Sequence, residues 1–135
     1  MCSILGILDI KTDAQALRKQ AIKLSRNQRH RGPDWSGTYA SDNAILVHER
    51  LSIVDVDSGA QPLYSPDGKN ILAVNGEIYN HKDLEQALKQ DFTFQTHSDC
   101  EVILALYNER ADEKDVAFLN EIKGMFAFID RKSVV

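Results

Sequence analysis

Short apolar runs broken by turn residues at close intervals leave this chain few ways to fold. Ser3-Ile4-Leu5-Gly6-Ile7-Leu8 is apolar and partly β-branched, and reads as a buried strand. Trp35 to Tyr39 and Ala44 to His48 read as two strands joined at Ser41-Asp42-Asn43, with Leu51-Ser52-Ile53-Val54 a short continuation. Asp57-Ser58-Gly59 is a turn. Pro66-Asp67-Gly68 is a stronger one, between Gln61-Pro62-Leu63-Tyr64 and Asn70-Ile71-Leu72-Ala73-Val74, and Asn75-Gly76 is expected to end the latter strand. Phe92-Thr93-Phe94 alternates as a strand, and Gly124 to Ile129 is another. Strand runs outnumber helices and several are joined by short turns. The expected fold is therefore α+β, an antiparallel sheet with packed helices, in preference to a doubly wound parallel fold.

Helices fill the gaps. Thr12 with Gln15 looks like a capping box opening a helix with Leu17, Ala21, Leu24 and Gln28 on one stripe. Its basic end (Arg26, Arg29, His30, Arg31) suits the negative end of the helix dipole, and Gly32-Pro33 stops it. Asn80 can cap a helix through Leu84 and Leu88. Ser98 with Glu101 forms a second capping box before Val102, Leu106 and Tyr107, and a further helix is expected around Val116, Leu119 and Ile122.

At 135 residues the chain is one domain or part of one, and its net charge of −4 argues against a general nucleic-acid or membrane-surface binder. No stretch reaches transmembrane length, so the cytoplasm is the expected compartment. Cys2 and Cys100 are expected to be free thiols there. His48, His81, His97 and Cys100 fit no zinc spacing, and no glycine pattern suggests a phosphate loop.

Four polar clusters interrupt the apolar runs: Cys2, His48-Glu49-Arg50, Asn75-Gly76-Glu77 and Ser98-Asp99. Singly, each has an ordinary structural reading: a strand residue, a surface ion pair, a tight turn, a helix-start charge. Cys2 has a sharper one. Removal of Met1 would leave a thiol and a free α-amine on one residue. These groups titrate near about 8.5 and about 7.7–8.0, so an N-terminal cysteine carries its own general base.

Taken together, the clusters resemble the N-terminal glutaminase domain of glutamine-dependent asparagine synthetases, which are class II, or N-terminal-nucleophile, glutamine amidotransferases. The resembling stretches are Cys2-Ser3-Ile4-Leu5-Gly6-Ile7, Arg29-His30-Arg31-Gly32-Pro33-Asp34, His48 to Asp55, Gln61-Pro62-Leu63, Val74 to Asn80, Ser98 to Ile103 and Gly124 to Phe128, in order along the chain. The resemblance implies an αββα sandwich of two antiparallel sheets, incomplete at the C-terminus, with residues 1–135 forming a partial type-2 amidotransferase domain. It implies that Cys2 attacks the glutamine carboxamide and its α-amine takes the proton. The oxyanion would be held by the Asn75 side-chain amide and the Gly76 N–H. Arg50 would grip the α-carboxylate, Asp99 the α-ammonium with help from Glu77, and Leu51, Ser52, Ile53 and Val54 would line the site with backbone groups.

Such domains continue into further strands and an ATP-dependent synthetase domain, both expected to be absent here. No cofactor is expected for glutamine hydrolysis, and ATP and Mg²⁺ belong to the missing domain. A separate synthetase chain or a second copy is a conceivable partner. The alternative is an inactive remnant serving as an interaction or oligomerisation module.

Overall fold

The computed structural model describes residues 2–52, 58–110 and 117–132. They form two three-stranded antiparallel sheets. The first has the order β1-β3-β2: β1 is Ser3–Leu8, β2 Trp35–Ala40 and β3 Ala44–Arg50. The second has the order β4-β5-β6: β4 is Leu63–Tyr64, β5 Asn70–Ile78 and β6 Gly124–Lys132. Helix α1 spans Ala14–Ser25, α2 His81–Ala87 and α3 Val102–Glu109. Among the described residues no helix is long and apolar enough to cross a membrane.

The period of two in the strands sorts the layers. On β3, Ile45 and Val47 pack with Ala21 and Leu17 of α1 and with Leu5 and Ile7 of β1. Leu46, between them, points the other way and meets Ile71 and Ala73 of β5, Ile4, Tyr39 and Ile129. On β5, Leu72, Val74 and Ile78 turn to the far side, against α2, α3, Phe126 and Phe128. The order is therefore helix, sheet, sheet, helix. β3 is covered on both faces, and all seven of its residues are buried.

Local detail departs from the sequence reading in several places. Asp13, not Thr12, caps α1, its carboxylate accepting the Gln15 and Ala16 N–H groups at 2.8 and 3.3 Å. The buried face of α1 runs Leu17, Ala21, Ser25, while Leu24 is exposed. Asn75-Gly76 does not end β5, which runs on to Ile78 because β6 pairs with it along its full length. Gly76 does not have a positive φ; among glycines of the described residues Gly68 does. The role of Gly76 is close approach: a Cβ there would stand 2.4 Å from the Met125 carbonyl oxygen.

Phe92-Thr93-Phe94 is not a strand. The two rings meet edge to face at 5.0 Å and pack on the α3 core instead. Asn80 stands at the N-cap of α2 as expected but makes no side-chain cap bond; its side chain instead ties Glu121 O and Lys123 N at 2.9 and 2.8 Å. The helix expected near Leu119 is a short 3₁₀ segment, Ala117–Glu121, and Val116 lies outside the described residues.

Candidate active site

Alternation carries the polar clusters to one end of the space between the sheets. Arg50 follows Leu46 and His48 on the inward face of β3. Asn75 and Glu77 follow Ile71 and Ala73 on that of β5. Ile4 is paired with His48, so the same register continued sets Cys2 beside Arg50. A cleft of about 670 Å³, counting the space open to solvent, lies there. Cys2, Arg50, Leu51, Asn75, Gly76, Glu77 and Asp99 line it, joined by Gln61, Ser98, Cys100 and Met125.

Cys2 is half-buried and held from both sides. The Leu51 N–H donates to its Sγ at 3.3 Å, and the thiol reaches the Leu51 carbonyl at 3.6 Å. Arg31 Nε donates to the Cys2 carbonyl at 3.1 Å, so one of the arginines expected only to sit at a helix end in fact anchors this residue. The Gly32-Pro33-Asp34 turn lies against the end of β3, where a Cβ on Gly32 would meet Glu49 O at 2.2 Å. Asp34 then closes the turn: its N–H donates to Arg50 O at 3.0 Å and its carboxylate accepts the Ser52 N–H at 2.8 Å. Ser52 is thus tied to Asp34 and is not among the lining residues; Ile53 and Val54 lie outside the described residues.

His48 and Arg50 face inward and Glu49 outward, and each meets different partners. Glu49 faces α1 and accepts from Ser25 Oγ at 2.7 Å and from Ser36 Oγ, with Arg29 at 3.9 Å. His48 is fully buried, its Nε2 2.9 Å from Val74 O. Burial depresses its pKa from 6.5 to about 4, so the ring is neutral at physiological pH. Among the described residues, Arg50 is the cation that lines the cleft.

Across from it, Asp99 is buried and accepts the Ile78 N–H at 2.6 Å. The second capping box holds in part. Ser98 accepts the Cys100 N–H at 3.3 Å, but Glu101 turns back to the Gln95 and Thr96 N–H groups at 2.7 and 2.8 Å. The Asn75 side-chain oxygen is buried without a hydrogen-bond partner among the described residues. Leaving such a group unpaired costs about 1–3 kcal/mol.

The two thiols differ. Cys100 is buried, and its Sγ contacts Gly76 O at 3.5 Å. Burial first, then the charges of Asp99 and Cys2, push its pKa far above the usual thiol range. Since the thiolate is the nucleophile, Cys100 is inert at neutral pH.

The profile of the glutamine amidotransferase domain matches residues 1–134. The chain belongs to this family. It is 65% identical over 128 residues to asparagine synthetase B [glutamine-hydrolyzing] of Escherichia coli, covering 95% of this chain and 22% of that one. It is 51% identical over 129 residues to asparagine synthetase [glutamine-hydrolyzing] 3 of Arabidopsis thaliana, covering 96% of this chain and 22% of that one. The amidotransferase chain thus spans about a fifth of the length of these relatives.

Sequence reasoning missed Gln61 and Met125 as parts of the cleft. Met125 was legible, since it lies on the same alternating face as Ile129. Gln61 was not: it reaches the site from a segment outside the regular strands.

Proposed function

We propose that this amidotransferase domain hydrolyses the side-chain amide of glutamine to glutamate and ammonia, with Cys2 as nucleophile. What carries the reading is the meeting in one cleft of a cysteine next to the initiator Met, a guanidinium, two carboxylates and an asparagine amide. Once Met1 is removed, the Cys2 amine accepts the thiol proton and the thiolate attacks the carboxamide carbon. The negative charge developing on the amide oxygen is stabilised by the Asn75 side-chain amide and the Gly76 N–H. Collapse of the intermediate breaks the C–N bond. The proton returns to the departing nitrogen, ammonia leaves, and a thioester remains on Cys2. Water then releases glutamate and restores the thiol.

Binding has its own groups. Arg50 suits the substrate α-carboxylate because its planar fork makes two parallel bonds. Asp99, with Glu77 beside it in the cleft, suits the α-ammonium. Leu51 to Val54 would complete the wall with backbone groups. Nucleophile, base and oxyanion donors all come from this chain, so the half-reaction needs no cofactor.

The helix-sheet-sheet-helix order supports an N-terminal-nucleophile αββα fold, and residues 1–135 are read as the type-2 amidotransferase part of a longer architecture. In that architecture the ammonia would supply asparagine synthesis, with ATP and Mg²⁺ acting on the synthetase part. The test is to incubate the purified chain with glutamine and measure glutamate, beside Cys2→Ala. Glutamate release by the wild type and none by the variant is expected. Equal release by both would overturn the reading.

A further inference from the structure

Val74 lies at a gap in the second sheet. β4 pairs with β5 at Leu63↔Leu72 and Tyr64↔Ile71. Two residues further, that antiparallel register would set Gln61 opposite Val74. β4 nevertheless begins at Leu63, so no strand residue stands opposite Val74. The Val74 N–H and C=O on that side therefore meet no strand.

Two buried side chains take its place. Gln61 Oε1 accepts the Val74 N–H at 2.7 Å. His48 Nε2 sits 2.9 Å from the Val74 carbonyl oxygen. A carbonyl can only accept, so Nε2 carries the proton and donates. His48 reaches across from the facing sheet, and Gln61 from the segment before β4. Gly37, paired with His48 in β2, makes the room: a Cβ there would stand 1.6 Å from the Gln61 carbonyl oxygen.

The exchange of a strand for two side-chain tips has two effects. It leaves the cleft open where a strand would close it, and both Gln61 and Asn75 line that opening. It also fixes the two peptide planes that flank Val74: Gln61 holds the Ala73–Val74 plane and His48 the Val74–Asn75 plane. We propose that His48 and Gln61 are positioning residues that stand in for a strand at Val74 and so hold the Asn75-Gly76 step against Cys2. This rests on the reading of Cys2, Asn75 and Gly76 given above. His48 is not itself a base in that reading. Its Nε2 is committed to Val74, and its Nδ1 is buried without a hydrogen-bond partner among the described residues.

The test compares His48→Phe and Gln61→Met, which keep bulk and remove the hydrogen bond, with His48→Gln, which restores a donor. Three readouts are taken: glutamine turnover, the alkylation rate of Cys2 by iodoacetamide, and amide hydrogen exchange over residues 72–77. A donor displaced by about 1 Å can cost on the order of a hundredfold in rate, so kcat should fall at least about tenfold in both deletion variants, with KM little changed. Exchange at 72–77 should quicken in both. His48→Gln should recover most of the turnover. Alkylation, which develops no oxyanion, should keep its wild-type rate.

Wild-type kcat and wild-type exchange in both deletion variants would overturn the proposal. So would a parallel loss of alkylation, which would signal general collapse. If one variant does not fold, the other carries the same decision. Should Cys2→Ala hydrolyse glutamine as fast as wild type, the nucleophile reading fails. Exchange at 72–77 then still decides whether His48 and Gln61 hold Val74.

Discussion

Gly76→Ala is the smallest change that should damage both fold and chemistry. A Cβ at this position would stand 2.4 Å from Met125 O and 2.6 Å from Phe126 Cα and Cβ, where ordinary contact begins at 3.4 Å. The nearest obstacles are backbone atoms of β6, which pairs with β5 on both sides of this point. No side chain can swing away to relieve them. The two strands must part by about 1 Å, and overpacking of this kind costs about 1–3 kcal/mol. For a chain of this size that lowers the melting temperature by about 3–15 °C. The Gly76 N–H moves with the strand, so kcat for glutamine should drop by about a hundredfold. KM should change less, because Arg50 and Asp99 stand on other elements. Thermal unfolding followed by circular dichroism, with glutamate release measured well below the melting point, checks both parts. Unchanged melting and unchanged kcat would refute the close-approach argument.

Three further outcomes follow from the same geometry. Below its ordinary pKa of 6.5 the unfolded His48 takes a proton that the folded ring refuses until about pH 4. Stability should therefore fall as pH drops through that window, by up to about 3 kcal/mol at about 1.4 kcal/mol per pH unit, and His48→Gln should lose this part of the dependence in urea titrations. Arg50→Lys keeps the charge and loses the fork. It should weaken apparent glutamine affinity by roughly ten- to a hundredfold, read as KM, while a wild-type KM would remove Arg50 from the substrate site. Cys100→Ala should leave glutamine turnover intact, because its thiol is held protonated; an inactive Cys100→Ala would reassign the nucleophile.

Much of the fold was legible because its strands alternate cleanly. Leu46, His48 and Arg50 share one face and Ile45, Val47 and Glu49 the other, so burial of the apolar members fixes where the polar ones go. The cleft residues were legible through the ordered stretches that resemble the family; the local pattern alone left Cys2, Arg50, Asn75-Gly76 and Asp99 their ordinary structural readings. What could not be read depends on neighbours distant in sequence. Asn75-Gly76 resembles a turn until β6 supplies a partner strand. Phe92-Thr93-Phe94 alternates like a strand, yet its rings are drawn onto the α3 core. Thr12 and Asp13 are both competent caps, and the choice falls to Asp13 because α1 starts at Ala14. The roles of Gln61 and His48 needed the gap beside Val74, which no local pattern announces.

The central claim is that Cys2, freed of Met1, attacks the glutamine carboxamide. Trapping that thiol tests it most directly. The chain is incubated with a glutamine analogue that carries an electrophile at the amide carbon, and the product is mapped by intact-mass and peptide mass spectrometry. The account predicts a single adduct on Cys2 of a chain beginning at Cys2, blocked by excess glutamine, with Cys100 unmodified. An adduct on Cys100, or an equally rapid adduct on a chain that retains Met1, would contradict it.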